Sequence, residues 1–174
     1  YQLIPKNSEA SAAAAKKTLV LIGASDGILL IGLAIVWRVG GSLHMDQLSL
    51  HTSDAVRSLA CLSLLIASFT KAGAFPLHTW LPDAHSEAPS PASALLSGVL
   101  LNCAFLGIFK TNKIMVAAGL QDFSGGILMV FGLLSILAAA TFILKQNEYK
   151  RMLAYSSIEN MGIIAFGTGV GGLG

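Results

Sequence analysis

The strongest constraint in this sequence is a lysine at the end of an apolar run, followed at once by a stretch broken by prolines. The run from Ala55 to Phe75 carries only two charges, Arg57 near one end and Lys71 further along. Residues 72–93 then bring Pro76, Pro82, Pro89 and Pro91 together with His78, Asp83, His85 and Glu87. In hydrocarbon an unpaired ammonium costs on the order of 3 kcal/mol or more, so a lysine kept at membrane depth marks a functional site by default. Proline removes backbone donors, and irregular backbone at that depth survives only where protein or a water-filled cavity surrounds it. Lysine and break together predict a discontinuous membrane helix whose break is an ion site.

The membrane setting follows from composition. Of 174 residues, 54% are hydrophobic and 11% charged, against about 25% charged in soluble domains. A net charge of +2, without a basic tract, gives no basis for a nucleic-acid partner. The lipid bilayer is the surrounding that this composition fits. Cys61 and Cys103 lie inside apolar runs and read as packing or lipid-facing residues, not as a disulfide or metal pair. No metal-ligand spacing and no nucleotide loop is present, so no cofactor is expected. The opening Tyr1-Gln-Leu-Ile-Pro reads as the tail of a preceding apolar helix and not as a signal peptide, so an internal piece of a longer protein, or an incomplete gene product, is expected.

Hydropathy predicts an all-α membrane protein of about five transmembrane helices. The spans fall at residues 18–37, 55–75 with a broken continuation over 76–92, 93–109, 124–144 and 152–170. Residues 6–17 read as a polar, then alanine-rich connector; 38–54 as a polar loop with His44 and His51; 110–123 as a loop marked by Lys110, Lys113 and Asp122. The basic residues of alternate connectors, Lys6, Lys16, Lys17, Lys145, Lys150 and Arg151 against Arg38, Arg57, Lys110 and Lys113, place the first set on the cytoplasmic side. Trp37 and Trp80 fall near span ends, where interfacial aromatics sit.

Three ionisable residues remain at membrane depth: Asp26, Lys71 and Glu159, each on a different span. Mixed signs point to a buried network, because an acid near a lysine favours the charged form of both. Moving the acid away would then release a proton from the lysine, a physical route from conformational change to proton movement. Blander readings compete at each position. Lys71 could snorkel to an interface, Asp26 could bond the backbone beside Gly23 and Gly27, and Glu159 could pair with Arg151 two turns away. His78, His85, Asp83 and Glu87 read either as path or coupling groups or as ordinary solvated loop side chains, and Ser97 and Asn102 as helix–helix glue or as supports for a water wire.

Lys71-Ala-Gly-Ala-Phe-Pro-Leu-His-Thr-Trp-Leu-Pro-Asp-Ala-His-Ser-Glu-Ala-Pro89, then Ser93-Ala-Leu-Leu-Ser-Gly98, then Tyr149-Lys-Arg-Met-Leu-Ala-Tyr-Ser-Ser-Ile-Glu-Asn-Met-Gly162 resemble the antiporter-like membrane subunits. Those are shared by respiratory complex I, Mrp-type sodium/proton antiporters and membrane-bound nickel–iron hydrogenases. The wording resembles most the hydrogenase-4 and formate hydrogenlyase subunits, component F first and component B second. The resemblance implies an inverted-repeat antiporter-like bundle, of which residues 1–174 form a partial proton-conducting domain holding the last three helices of one repeat and the first two of the next. By it, Lys71 matches the family's channel lysine and Asp26 an aspartate facing that lysine. Glu159 would continue the path, with Asn160 standing where many complex I relatives have histidine. The family's glutamate partner for the lysine would lie upstream of Tyr1, and the lysine or histidine that relatives place at Asn102 or Ser97 is missing.

The expected function is that of a proton-translocating subunit of an energy-converting, hydrogenase-type oxidoreductase complex, multi-pass in the cell's inner membrane and without a redox site of its own. Its expected partners are the membrane and hydrophilic subunits of such an assembly. The rivals are a subunit of an NADH–quinone oxidoreductase or of an Mrp-type antiporter and, from another class, a non-conducting scaffold in which the buried charges only lock helices together.

Overall fold

Apolar stretches long enough to span a bilayer must close their backbone hydrogen bonds internally, and the computed structural model meets that demand with helices alone. It describes residues 9–40, 54–117 and 119–171, and no strand occurs among them. The helices are α1 Glu9–Gly40, α2 Asp54–Lys71, α3 Trp80–Glu87, α4 Ser90–Leu95, α5 Leu101–Ala117, α6 Gln121–Ile143 and α7 Tyr149–Gly171. A 3-10 turn at Leu77–Thr79 precedes α3, and a π-helical turn at Leu96–Leu100 joins α4 to α5.

Three of these runs, Glu9–Gly40, Ser90–Ala117 and Gln121–Ile143, are long and apolar enough to cross a membrane, and Ser58–Lys71 is a shorter apolar helix. The broken α2–α3 pair and the 23-residue α7 complete the expected set of about five. At 1.5 Å per residue α7 is about 35 Å long, enough for a hydrocarbon core of about 30 Å. Outward-facing Val20, Leu30, Ile31, Val130, Leu137 and Ile163 are each at least half exposed, so the outer surface of the described helices is apolar.

Several helices run past their expected ends. α1 begins at Glu9 instead of residue 18, because Ala10 and Ala12–Ala15 are strong helix formers and need no connector. Residues 110–117, read as loop, continue α5: Lys110 and Lys113 ride on a helix whose buried face at Ile108, Thr111, Asn112 and Met115 keeps packing. The expected loop over 38–54 with His44 and His51, the opening residues Tyr1–Pro5 and the end of the glycine-rich tail lie outside the described residues, as does the side chain of Arg57.

α1 and α2 run antiparallel, as do α6 and α7. Gly32 of α1 faces Ser63 and Leu64 of α2, whereas Asp26 lies beside Lys71. The tightest packing is between α6 and α7, whose axes approach through glycines. A Cβ built on Gly132 would meet the backbone nitrogen of Phe166 at 2.6 Å and the carbonyl oxygen of Gly162 at 2.8 Å; one on Gly169 would meet the Gly125 carbonyl oxygen at 2.8 Å. Small residues that let backbones touch are the usual means of helix association in lipid, where no hydrophobic force draws helices together. The main core clusters tie this hairpin to the rest: Ile158 and Met161 pack with Trp80, Leu81 and Ala15, and Leu128 and Ala165 with Leu65, Ala104 and Ile108.

Candidate functional site

The site begins where α2 stops. Ala72 and Ala74 still donate to Ser68 and Phe69 carbonyls, but Gly73 turns into a left-handed conformation at φ 64° that a side chain resists. Pro76 follows with a cis Phe75–Pro76 peptide, and the chain re-enters helix only at Trp80. Polar backbone freed by such a break must find partners inside the protein. The indole Nε1 of Trp80 donates to the Thr70 carbonyl at 2.8 Å, and the Ser135 hydroxyl of α6 accepts from the Phe75 N–H at 2.9 Å. Trp80 is therefore fully buried and serves the break from within, contrary to the interfacial role expected from its place in the sequence.

Lys71 is the last residue of α2, and its ammonium lies 2.5 Å from Asp26 Oδ1. This ion pair replaces both the snorkelling of Lys71 and the backbone bonding of Asp26. Lys71 also borders a cavity of about 590 Å³ with Leu29, Ser68, Leu96, Leu100 and Cys103 among its walls. Apart from the lysine and the Ser68 hydroxyl, the walls are apolar or sulfur-bearing, so a charge there has few protein partners besides Asp26.

The remaining candidates divide sharply. Asp83, half-buried, pairs with two cations: Oδ2 with Lys17 of α1 at 2.8 Å and Oδ1 with Arg151 of α7 at 3.2 Å. It is no solvated loop carboxylate. His85 is buried, bonded through Nδ1 to the Ser93 hydroxyl at 2.6 Å, with Nε2 buried and unpartnered; the residue borders a cavity of about 430 Å³ that Ser97, Ser157 and Lys150 also line. His78 is buried among the rings of Phe75, Phe142 and Tyr155. Neither imidazole is an ordinary solvated one.

Ser97 bonds Ser157 of α7 at 3.1 Å, a link between the π turn and the hairpin. Asn102 is exposed and spends its amide on the Gly98 carbonyl of its own helix, at 2.6 Å. Glu159 is partly buried and forms no ion pair among the described residues; Arg151 turns instead to Asp83 and to Glu148 at 3.3 Å. Asn160 is exposed, and Glu87 is partly buried with no hydrogen bond or ion pair among the described residues. Among the described residues no three His, Cys, Asp or Glu side chains converge as a metal site.

Sequence reasoning missed Ser135, Ser93, Ser157 and Lys17. Single serines in apolar spans look like incidental polar residues, and only the packing shows what their hydroxyls reach. One signal was present for Lys17: it lies about two and a half helical turns before Asp26 on the same helix.

A discontinuous helix, a lysine–aspartate pair at its break and a cavity beside them form the arrangement expected of an antiporter-like membrane protein. The chain belongs to the family described as NADH:quinone oxidoreductase/Mrp antiporter, transmembrane, which matches residues 1–174. It is similar to a hydrogenase-4 component F homolog of Methylacidiphilum infernorum (isolate V4), 48% identical over 123 residues, which is 70% of this chain and 26% of that protein. It is also similar to NAD(P)H-quinone oxidoreductase chain 4 1 of Synechococcus sp. (strain JA-2-3B'a(2-13)), 43% identical over 157 residues, 89% of this chain and 30% of that protein. A subunit in the structure of the membrane-bound sulfane sulfur reductase, an archaeal respiratory membrane complex, superposes with a TM-score of 0.77 at 28% identity, over 92% of this chain and 34% of that one. The chain thus spans about a quarter to a third of the length of its relatives.

Proposed function

We propose that this chain is part of a proton-translocating membrane subunit in an energy-converting oxidoreductase complex of the hydrogenase-4 type, coupling redox energy to proton movement. The observation that carries this reading is the Lys71–Asp26 pair, 2.5 Å apart at the break beside the cavity. The pair is partly exposed, 30% for the Lys71 side chain and 51% for that of Asp26, and a conformational change that alters its separation would alter the charge beside the lysine. Lys71 is the proton carrier, Asp26 its electrostatic modulator, and Glu159 the acid that continues the path along α7. His78, His85, Ser97 and the polar residues around them supply path or coupling groups, and the redox chemistry belongs to partner subunits.

The likeness to the component F homolog supports the hydrogenase assignment. A second reading, a subunit of a quinone-reducing complex, draws on the chain 4 relative, which matches a larger share of this chain. The test is Lys71→Met in the full-length protein within its complex, reconstituted in vesicles. Loss of proton uptake, with redox turnover retained or falling alongside, supports transport. Wild-type uptake and turnover in the intact complex would show that the lysine is structural, and the scaffold reading would replace this one.

A further inference from the structure

α1 carries two charged groups that meet the two halves of the broken helix with opposite signs. Asp26 meets Lys71 at the end of α2, and Lys17 meets Asp83 in α3, at 2.5 and 2.8 Å. The buried stripe of α1 runs through Ala14, Thr18, Ser25 and Gly32. At roughly 100° of rotation per residue, Lys17 stands about 100° to one side of Thr18 and Asp26 about 80° to the other. The two ion pairs therefore flank the stripe on opposite sides. Rolling α1 about its axis in either direction pulls at least one of them apart, so together they fix its rotation.

The outer pair is anchored further. The same Asp83 carboxylate also holds Arg151 of α7, and the neighbouring Lys150 donates to the Ala88 carbonyl just beyond α3 at 2.9 Å. Trp80, at the other end of α3, is tied to the Thr70 carbonyl one residue before Lys71. The short half-helix is thus held to the glycine-packed hairpin at its outer end and to the lysine's own helix at its inner end, and Asp83 is the one carboxylate among the described residues that reaches both α1 and α7.

We propose that Asp83 is the positioning residue of the Lys71 site: shared between Lys17 and Arg151, it sets the rotation of α1 and so keeps Asp26 within ion-pair reach of Lys71. Asp83 need not touch the transferred proton. Isolated ion pairs of this exposure contribute little stability, and the role assigned here is geometric. Removing Asp83 leaves the fold in place and lets α1 roll, which lengthens the inner pair. This inference rests on the proposed function, since it takes Lys71 as the proton carrier.

The test is a double-mutant cycle in the full-length protein within its complex in vesicles, read as proton uptake per redox turnover. Groups acting through one another give non-additive effects, whereas independent groups give additive ones. Asp83→Asn is expected to lower the ratio several-fold, Asp26→Asn to lower it comparably, and the double variant to fall no further than the stronger single one. Asp83→Glu, which keeps the charge, is expected to restore most of the ratio. A merely structural Asp83 would instead lower the amount of assembled complex and leave the ratio alone.

Effects of Asp83→Asn and Asp26→Asn that multiply, or an Asp83→Asn ratio equal to wild type, would overturn the proposal. If Asp83→Asn does not assemble, Lys17→Gln, at the partly exposed start of α1, takes its place under the same criteria. Lys71→Met separates the two levels: if it abolishes uptake while Asp83→Asn does not lower the ratio, only the positioning role fails. If Lys71→Met keeps wild-type uptake, the function and this inference fail together.

Discussion

The α6–α7 hairpin and the α1–α2–α3 unit are built from the same apolar residue types, yet they solve opposite problems. In the hairpin, Gly125, Gly132, Gly162 and Gly169 let two unbroken helices touch backbone to backbone. In the other unit a helix is broken on purpose, its loose ends are tied by Trp80 and Ser135, and a charge pair and a cavity occupy the gap. Close glycine packing leaves no room between the backbones, whereas the break is held by a few polar contacts around a cavity. On the proposed function, the glycine-packed hairpin would serve as the post to which Asp83, through Arg151, ties the broken helix.

The comparison predicts effects of very different size. The largest belongs to the hairpin. Gly162→Leu places a side chain where even a Cβ would lie 2.9 Å from the Gly132 carbonyl oxygen and 3.0 Å from Ser135 Cβ. Backbone cannot yield as a side chain tip can, so overpacking of roughly 3 kcal/mol or more is expected. The full-length variant should be lost from membranes by immunoblot; wild-type amounts would show that the hairpin is looser than described. Lys71→Met should do the reverse, with protein present and proton uptake gone, which places the two regions in separate roles.

Smaller effects sharpen the account of the break. Trp80→Phe leaves the Thr70 carbonyl with only the Gly73 N–H at 3.2 Å as donor and should cost about 1–2 kcal/mol, read as a lower melting temperature in detergent. Ser135→Ala strips the acceptor from the Phe75 N–H and should cost at the lower end of that range, about 1 kcal/mol. Should Trp80→Phe melt like wild type, the break would be held by something other than these two bonds. Least of all should follow from Gly27→Ala in α1: a Cβ there meets nothing within 4 Å. Its helix propensity favours the change by up to about 1 kcal/mol. The same residue type is thus indispensable in one region and dispensable in the other.

The membrane class, the number of helices and the position of the break were legible because each rests on local chemistry. Apolar run length fixes what can span, proline and glycine fix where it must stop, and a lysine in such a run demands a partner. Asp26 could be named as that partner from its sign and its place on another span, together with the resemblance to the family. The helix ends were less legible, since Ala12–Ala15 and the buried face of α5 extend helices into segments that charge alone marks as loops.

What the sequence could not assign was the use of each polar group. Trp80 looked interfacial and is buried; Asp83 read either as a path group or as a solvated side chain and is shared by two cations; Arg151 was weighed as a partner for Glu159 and turned to Asp83 instead. These outcomes depend on contacts between residues 17, 83 and 151, far apart along the chain and brought together by helix packing. By itself the sequence determined that this chain lives in a membrane and breaks a helix beside a lysine, because burial, proline and desolvation act on each segment alone; its likeness to antiporter-like subunits rests on the wording of its motifs. Only the tertiary structure decided which charge meets which, because ion pairing depends on distances of a few ångströms between helices that no local rule sets.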